Sequence, residues 1–221
     1  MHEAIVMDRS SSKAMTWLGL GISLFSMILI REAFRAISAE PGPALVLARE
    51  ACMFAAAGAL VWIVRRGERA SWQSIGIGTS PAWKSLAWGF VIAIANVVPI
   101  ALIAHWTGYG HSASAVAFAK LPLWVIFIVV VRAGVVEELF YRAYAIDRLQ
   151  RLGCGQITAC AIPLCIFAAA HWTGGFANIV IALVAGGIVT VFYLWRRDLL
   201  ANIFGHFLVD FVGNILPALF S

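Results

Sequence analysis

Charge is what this chain has least of. Lys, Arg, Asp and Glu together supply 12% of its 221 residues, against 62% apolar residues, whereas a soluble domain is nearer a quarter charged. That shortage excludes an ordinary soluble globule. Cysteine is scarce too, and Cys52, Cys154, Cys160 and Cys165 form no Cys-x-x-Cys pair. A disulfide framework is therefore not expected, and the four read as small buried hydrophobes. His-Glu-x-x-His is missing, so no single helix offers two zinc ligands and a base. There is no internal repeat, low-complexity tract or composition break, so residues 1–221 read as one membrane domain. No cleavable signal stands out: the first apolar run follows Arg9 and Lys13 and meets Arg31 and Glu32 at its end, as a retained first helix would. The net charge of +5 would suggest nucleic acid in a soluble protein. Here the basic residues cluster in short loops, where they set orientation, and no nucleic-acid module is present.

What the chain does have is long uncharged runs. Seven apolar spans emerge, at about 14–30, 44–64, 84–104, 122–144, 157–173, 176–195 and 199–219, near the roughly 20 residues a bilayer core requires. The expected fold class is all-α: a polytopic transmembrane helical bundle of about seven spans around a polar intramembrane cavity. Pro99, Pro163 and Gly186-Gly187 fall inside spans, where neighbouring helices or water can satisfy freed backbone groups. Arg65, Arg66 and Arg69 follow span two, Arg148 and Arg151 span four, and Arg196 and Arg197 span six. With Arg9 and Lys13 they put the N-terminus and these loops in the cytoplasm. The expected location is a multi-pass position in a bacterial inner membrane. Arg31 and Arg35 contradict the rule, and 31–43, ended by Pro41-Gly42-Pro43, reads as an interfacial helix diluted by Glu32 and Glu40. Trp17, Trp62, Trp83, Trp106, Trp172 and Trp195 lie near span ends, as interface anchors should. The loop 105–120, with His105 and His111, is a candidate gate on the outer side.

Against this background a few polar groups stand out. Glu137, Glu138 and Arg142 lie in an otherwise apolar run. Each ionised group at a helix centre costs about 2.5–3.5 kcal/mol, and such groups normally face a protein interior or wet cavity. On an α-helix positions four apart share a face and neighbours diverge by about 100°. Glu138 is then paired with Arg142, while Glu137 points elsewhere, over Tyr141, free for acid/base chemistry. A helix–helix ion pair alone would need only one acid. Phe167-Ala-Ala-Ala-His171 puts Phe167 one turn below the imidazole, with small residues that admit a neighbouring backbone; taken alone it is a packing histidine. His206-Phe-Leu-Val-Asp210 lets Asp210 reach His206 and fix its tautomer, or form a pair that merely stabilises the last helix. Arg132, Arg49 and Glu50 are further charges in or near spans. Arg132 is expected to pair with Glu50 between spans, or to meet a substrate carboxylate.

The three motifs Glu137-Glu138-x-x-x-Arg142, Phe167-x-x-x-His171 and His206-x-x-x-Asp210, in this order over about 120–215, resemble the CPBP family of intramembrane proteases. That family includes CAAX prenyl proteases of the Ras-converting type and bacterial bacteriocin-processing, self-immunity and Abi-type proteins. The resemblance implies an endopeptidase in which Glu137 activates a water, His171 helps hold it, and His206 with the residue at 210 stabilises the oxyanion. Glu138, Arg142 and Phe167 would support the site. The prenyl-protease branch has Asn where this chain has Asp210. A carboxylate repels an oxyanion, so Asp210 is expected to orient His206 instead.

The family resemblance leaves the metal open. Glutamate-activated water without cofactor is favoured, because a buried Glu beside His suffices as a base. The alternative is Zn2+ held by Glu137, His171 and His206 with an open position for water. The expected partners are the lipid bilayer and a peptide or protein substrate, lipidated, membrane-anchored or neither. A non-catalytic immunity or scaffold protein on the same fold is the competing class. A transporter is disfavoured, since no inverted repeat is visible. One difficulty is depth: with these boundaries His171 ends span five near the outside, whereas Glu137 and His206 lie towards the cytoplasm.

Overall fold

Backbone in lipid must satisfy its own polar groups, which favours helices wherever apolar runs are long. The computed structural model, which describes residues 2–38, 41–109 and 113–219, is all-α throughout the described residues. Helix α1 runs His2–Ile37 and α2 Pro43–Trp62, continued by a π turn over Ile63–Gly67. After a short loop, α3 spans Ala82–Thr107 and α4 Ala113–Ala119. Helix α5, Leu123–Arg132, passes without a break into a π-helical stretch, Ala133–Tyr144, and then α6, Ala145–Arg151. Helices α7 (Gln156–Ala169), α8 (Gly175–Arg196) and α9 (Leu199–Asp210) follow. The chain then passes through a π turn, Phe211–Ile215, into α10, Leu216–Leu219.

Four helical stretches are long and apolar enough to cross a membrane: Lys13–Ile37, Pro43–Gly67, Ala82–Thr107 and Trp172–Arg196. Their outward faces carry exposed Leu29, Ile94, Val98, Leu102 and Val191, a continuous apolar exterior that water would not tolerate. All six tryptophans noted at span ends are exposed. The four cysteines are free, and Cys52 and Cys165 lie exposed on this apolar surface rather than buried as expected.

The rod from α5 to α6 is the core. Val136, Phe140, Ala143, Tyr144, Ala145 and Ile146 are all fully enclosed, as in a helix wrapped by neighbours on every side. Helix α9 lies between this rod and α3, and glycine sets how close it comes. A Cβ on Gly205 would sit 2.6 Å from Ile92 Cγ2, and one on Gly134 3.0 Å from the Ile203 carbonyl. Small residues at such crossings let helix backbones meet.

The basic loops gather at one end. Arg148 donates to Glu68 at 2.5 Å and Arg197 to Gln150 at 2.9 Å, tying α6 to the segments that follow α2 and α8. Arg31 and Arg35 are not in a separate interfacial helix, because α1 continues through them. Arg31 donates to the Ala170 carbonyl, and Arg35 stacks over Trp172 at 4.8 Å. Tertiary partners at the far end thus account for charges that the loop rule alone leaves as a contradiction. Glu40 and His111 lie outside the described residues; His105 is exposed.

Candidate active site

The local winding of the central rod decides where its acids point. In a π-helix the backbone bond runs from i to i+5, so residues five apart come into register. Arg132 therefore lies over Glu137, and its Nη1 donates to Glu137 Oε1. Arg132 Nε donates to Glu50 Oε2 on α2 at 2.5 Å, and Arg49 Nε reaches the other Glu50 oxygen at 2.8 Å. The pairing of Arg132 with Glu50 matches the expectation. The expectation of an unpaired Glu137 rested on α-helical winding and is corrected: Arg132 holds one of its oxygens, and Oε2 faces His206 Nε2 at 4.0 Å.

Glu138 is fully buried and is the most heavily used carboxylate of the site. Oε1 accepts from Arg142 Nη1 at 3.1 Å and lies 2.7 Å from His206 Nδ1. Oε2 accepts from Asn202 Nδ2 at 3.2 Å. The expected ion pair with Arg142 is present, but Glu138 is also the acid behind His206. Asp210 Oδ2 is 3.7 Å from His206 Nε2, beyond hydrogen-bond reach and on the opposite ring nitrogen. The expectation that Asp210 fixes the tautomer through the i,i+4 spacing is therefore corrected, because a carboxylate from another helix has the shorter contact.

Arg142 completes the support. Its Nη2 donates to the Gly186 carbonyl at 3.2 Å, and its guanidinium lies 4.3 Å above the Phe167 ring. Phe167 in turn packs against His171, with ring centroids 4.7 Å apart, so the aromatic sits between a cation and an imidazole. His171 Nδ1 is 2.7 Å from the Phe167 carbonyl. With the proton on Nδ1, Nε2 is left as an acceptor. The depth difficulty disappears because α7 has only 14 residues, about 21 Å at 1.5 Å each. It stops short of a bilayer's width, and His171 falls in the turn before α8.

Glu137, Glu138, His171, His206 and Asp210 line one cavity of about 760 Å³. Tyr109 and Phe118, from the loop expected to act as a gate, lie on its wall. A second cavity of about 140 Å³ lies against Arg31, Arg132, Tyr141, Glu137 and His171. Glu137 and His171 thus face both chambers. As for zinc, no three His, Cys, Asp or Glu side chains come together as a metal-holding group among the described residues.

Asn202 and Thr190 were not singled out from sequence, and Gly186 was noted only as an interruption of its span. Asn202 carried a readable signal: it lies one turn before His206, on the same face of α9. Thr190 and Gly186 carried none, since they meet Arg142 only through α8 packing, with Arg142 Nε 3.5 Å from Thr190 Oγ1.

The family model described as Type II CAAX prenyl endopeptidase Rce1-like matches residues 119–212, rather less than half the chain. The matched segment holds every residue of the three motifs and the whole π-helical stretch. No curated protein and no solved structure matches the chain.

Proposed function

We propose that this protein is an intramembrane endopeptidase that hydrolyses a peptide bond with a water activated by Glu137. The observation that carries the reading is the meeting of Glu137 from the central rod, His171 from the turn before α8 and His206 from α9 on one cavity inside an apolar bundle. The family match over the same segment supports it. The bundle crosses the bilayer seven times, with its basic end and N-terminus in the cytoplasm. The substrate is a peptide or protein reaching the cavity from the membrane.

In this mechanism the water lies between Glu137 Oε2 and His171 Nε2. Its oxygen attacks the scissile carbonyl carbon while Glu137 takes a proton. The carbonyl π bond opens to an oxyanion, which His206 Nε2–H stabilises. Collapse breaks the C–N bond, and Glu137 returns its proton to the leaving amine. Donation from Nε2 requires a doubly protonated ring, because Nδ1–H is directed at Glu138. Charge balance supports that form. Glu50, Glu137, Glu138 and Asp210 face Arg49, Arg132 and Arg142, and an imidazolium at His206 makes the set neutral. Asp210 then acts as a counter-ion to the ring rather than a donor to the oxyanion.

The test is a substrate trap. Glu137→Gln, expressed in the native membrane with a photo-crosslinker at the cavity wall, should capture peptides identifiable by mass spectrometry, and those peptides should be cleaved by the unsubstituted protein. If Glu137→Gln cleaves them at the ordinary rate, the reading fails.

A further inference from the structure

Hydrolysis consumes a water at every turnover, and the large cavity is a poor place to draw it from. A peptide that fills that cavity covers its side of Glu137 and His171. The smaller cavity, of about 140 Å³, meets the same two residues from another side. Arg132, Glu137, Phe167 and His171 form a wall common to both. Beyond that wall the smaller cavity is bounded by Met27, Ile28 and Arg31 of α1 and by Arg49 and Met53 of α2.

Its position suits water. Met27, Ile28, Arg31 and Arg49 are partly exposed, whereas Glu137 is 6% and Met53 3% exposed, so the chamber leads from the outside of the bundle to the reacting carboxylate. Arg31 is six residues short of the end of α1, about 9 Å at 1.5 Å per residue. Arg49 lies six residues past the start of α2. The mouth is therefore near the membrane surface, at the end of the bundle opposite the basic loops. Its chemistry suits water as well. A purely apolar chamber of roughly this size stays dry. Here Arg31, Arg49, Arg132, Glu137 and His171 lie on the wall, and the volume holds about four waters at ~30 Å³ each.

We propose that this chamber binds water and is the entry path of the hydrolytic water, separate from the path of the substrate. Water held there passes along Glu137 to the position between its Oε2 and His171 Nε2 while a peptide still fills the large cavity. The use of that water rests on the peptidase reading; the hydration of the chamber does not.

The first arm of the test needs no substrate. The full chain is purified in a neutral detergent and given a brief X-ray pulse, which turns bound water into hydroxyl radicals. These oxidise a neighbouring thioether to the sulfoxide. Met53 should be oxidised far more than Leu60, the 0% exposed residue on the same helix, after correction for intrinsic reactivity. Protection of Met53 to the level of Leu60 overturns the proposal. In Glu137→Gln with a captured peptide bound, oxidation of Met53 should persist; its loss would mean that the water enters through the large cavity, and also overturns the proposal. The second arm is kinetic. Met53→Phe, which fills the chamber, should lower kcat on the full captured peptide about 10-fold with KM unchanged. It should spare a truncated peptide that leaves the large cavity wet, which also shows that the variant is folded. Met53→Ala, which widens the chamber, should keep kcat on both. Should Met53→Phe not fold, Met27→Phe at the mouth takes its place. Unchanged kcat in the filled variant, equal losses on both peptides, or equal losses from filling and widening would each make Met53 a packing residue and overturn the path. If the unsubstituted protein cleaves nothing, the peptidase reading fails, and the oxidation of Met53 still decides whether the chamber holds water.

Discussion

Replacing Glu138 by Gln changes no volume, yet it should disturb the site more than any other isosteric change outside Glu137. Glu138 accepts from Arg142 at 3.1 Å, lies 2.7 Å from His206 Nδ1, and accepts from Asn202 at 3.2 Å. An amide has one acceptor oxygen. Placed towards Arg142 and His206, it turns its NH2 onto Asn202 Nδ2, donor against donor; the reverse orientation loses both cations. Asn202 cannot rotate away freely, because the same nitrogen donates to the Val189 carbonyl at 3.2 Å. The larger loss is charge. Arg142 is 1% exposed, and removing one partner of a buried pair typically costs 3–5 kcal/mol because the other charge is stranded, here about 3–5 kcal/mol. Against a total stability of about 5–15 kcal/mol, this is a large fraction.

The assay is reversible unfolding of purified protein in mixed micelles, beside turnover on a captured substrate. Glu138→Gln should lose stability by that amount and lose turnover incompletely, and lowering the temperature should recover part of the activity. Glu137→Gln also removes a partner of Arg132, but Arg132 keeps Glu50; the variant should lose less stability than Glu138→Gln and lose turnover altogether. A Glu138→Gln protein that is as stable as the parent but inactive, beside an active Glu137→Gln, would refute the reasoning and exchange the two roles.

Gly186→Ala should destabilise by about 1–3 kcal/mol through overpacking, because the new Cβ would sit 2.7 Å from an Arg142 Nη2 that Glu138 prevents from yielding; thermal unfolding checks it, and Gly187→Ala, which meets nothing within 4 Å, is the control. Turnover should survive thorough chelation, with metal analysis of the purified protein showing less than stoichiometric zinc; loss on chelation with recovery by one equivalent of zinc would make Glu137, His171 and His206 ligands. Asp210→Asn removes the counter-ion 3.7 Å from His206 Nε2 and so disfavours the imidazolium. The alkaline limb of its pH–rate profile should move to lower pH, and an unmoved limb would count against a cationic His206.

Much of the bundle was legible because lipid imposes a simple rule on backbone and composition. The apolar segments are largely helical in the structure, four helical stretches are long enough to cross a membrane, and the six tryptophans are exposed. The candidate site was legible as a set of residues that meet on one cavity, for a related reason: Glu137, Glu138, Arg142 and the two histidines are costly in lipid. Their pairings were not legible. Spacing arguments assume 3.6 residues per turn, and they succeeded for Glu138 and Arg142, which still meet four residues apart. They missed the contact between Arg132 and Glu137, five apart, because it exists only where the rod winds as a π-helix. Propensity does not announce that winding, which depends on packing along the whole rod. The same limit explains Asp210. Its distance from His206 along α9 is local and readable, but the arrival of Glu138 at the other ring nitrogen depends on how closely α9 approaches the rod. That approach is set by Gly134, whose missing Cβ leaves the Ile203 carbonyl 3.0 Å from where it would stand. A glycine that reads as mere tolerance in the sequence therefore decides which acid orients His206.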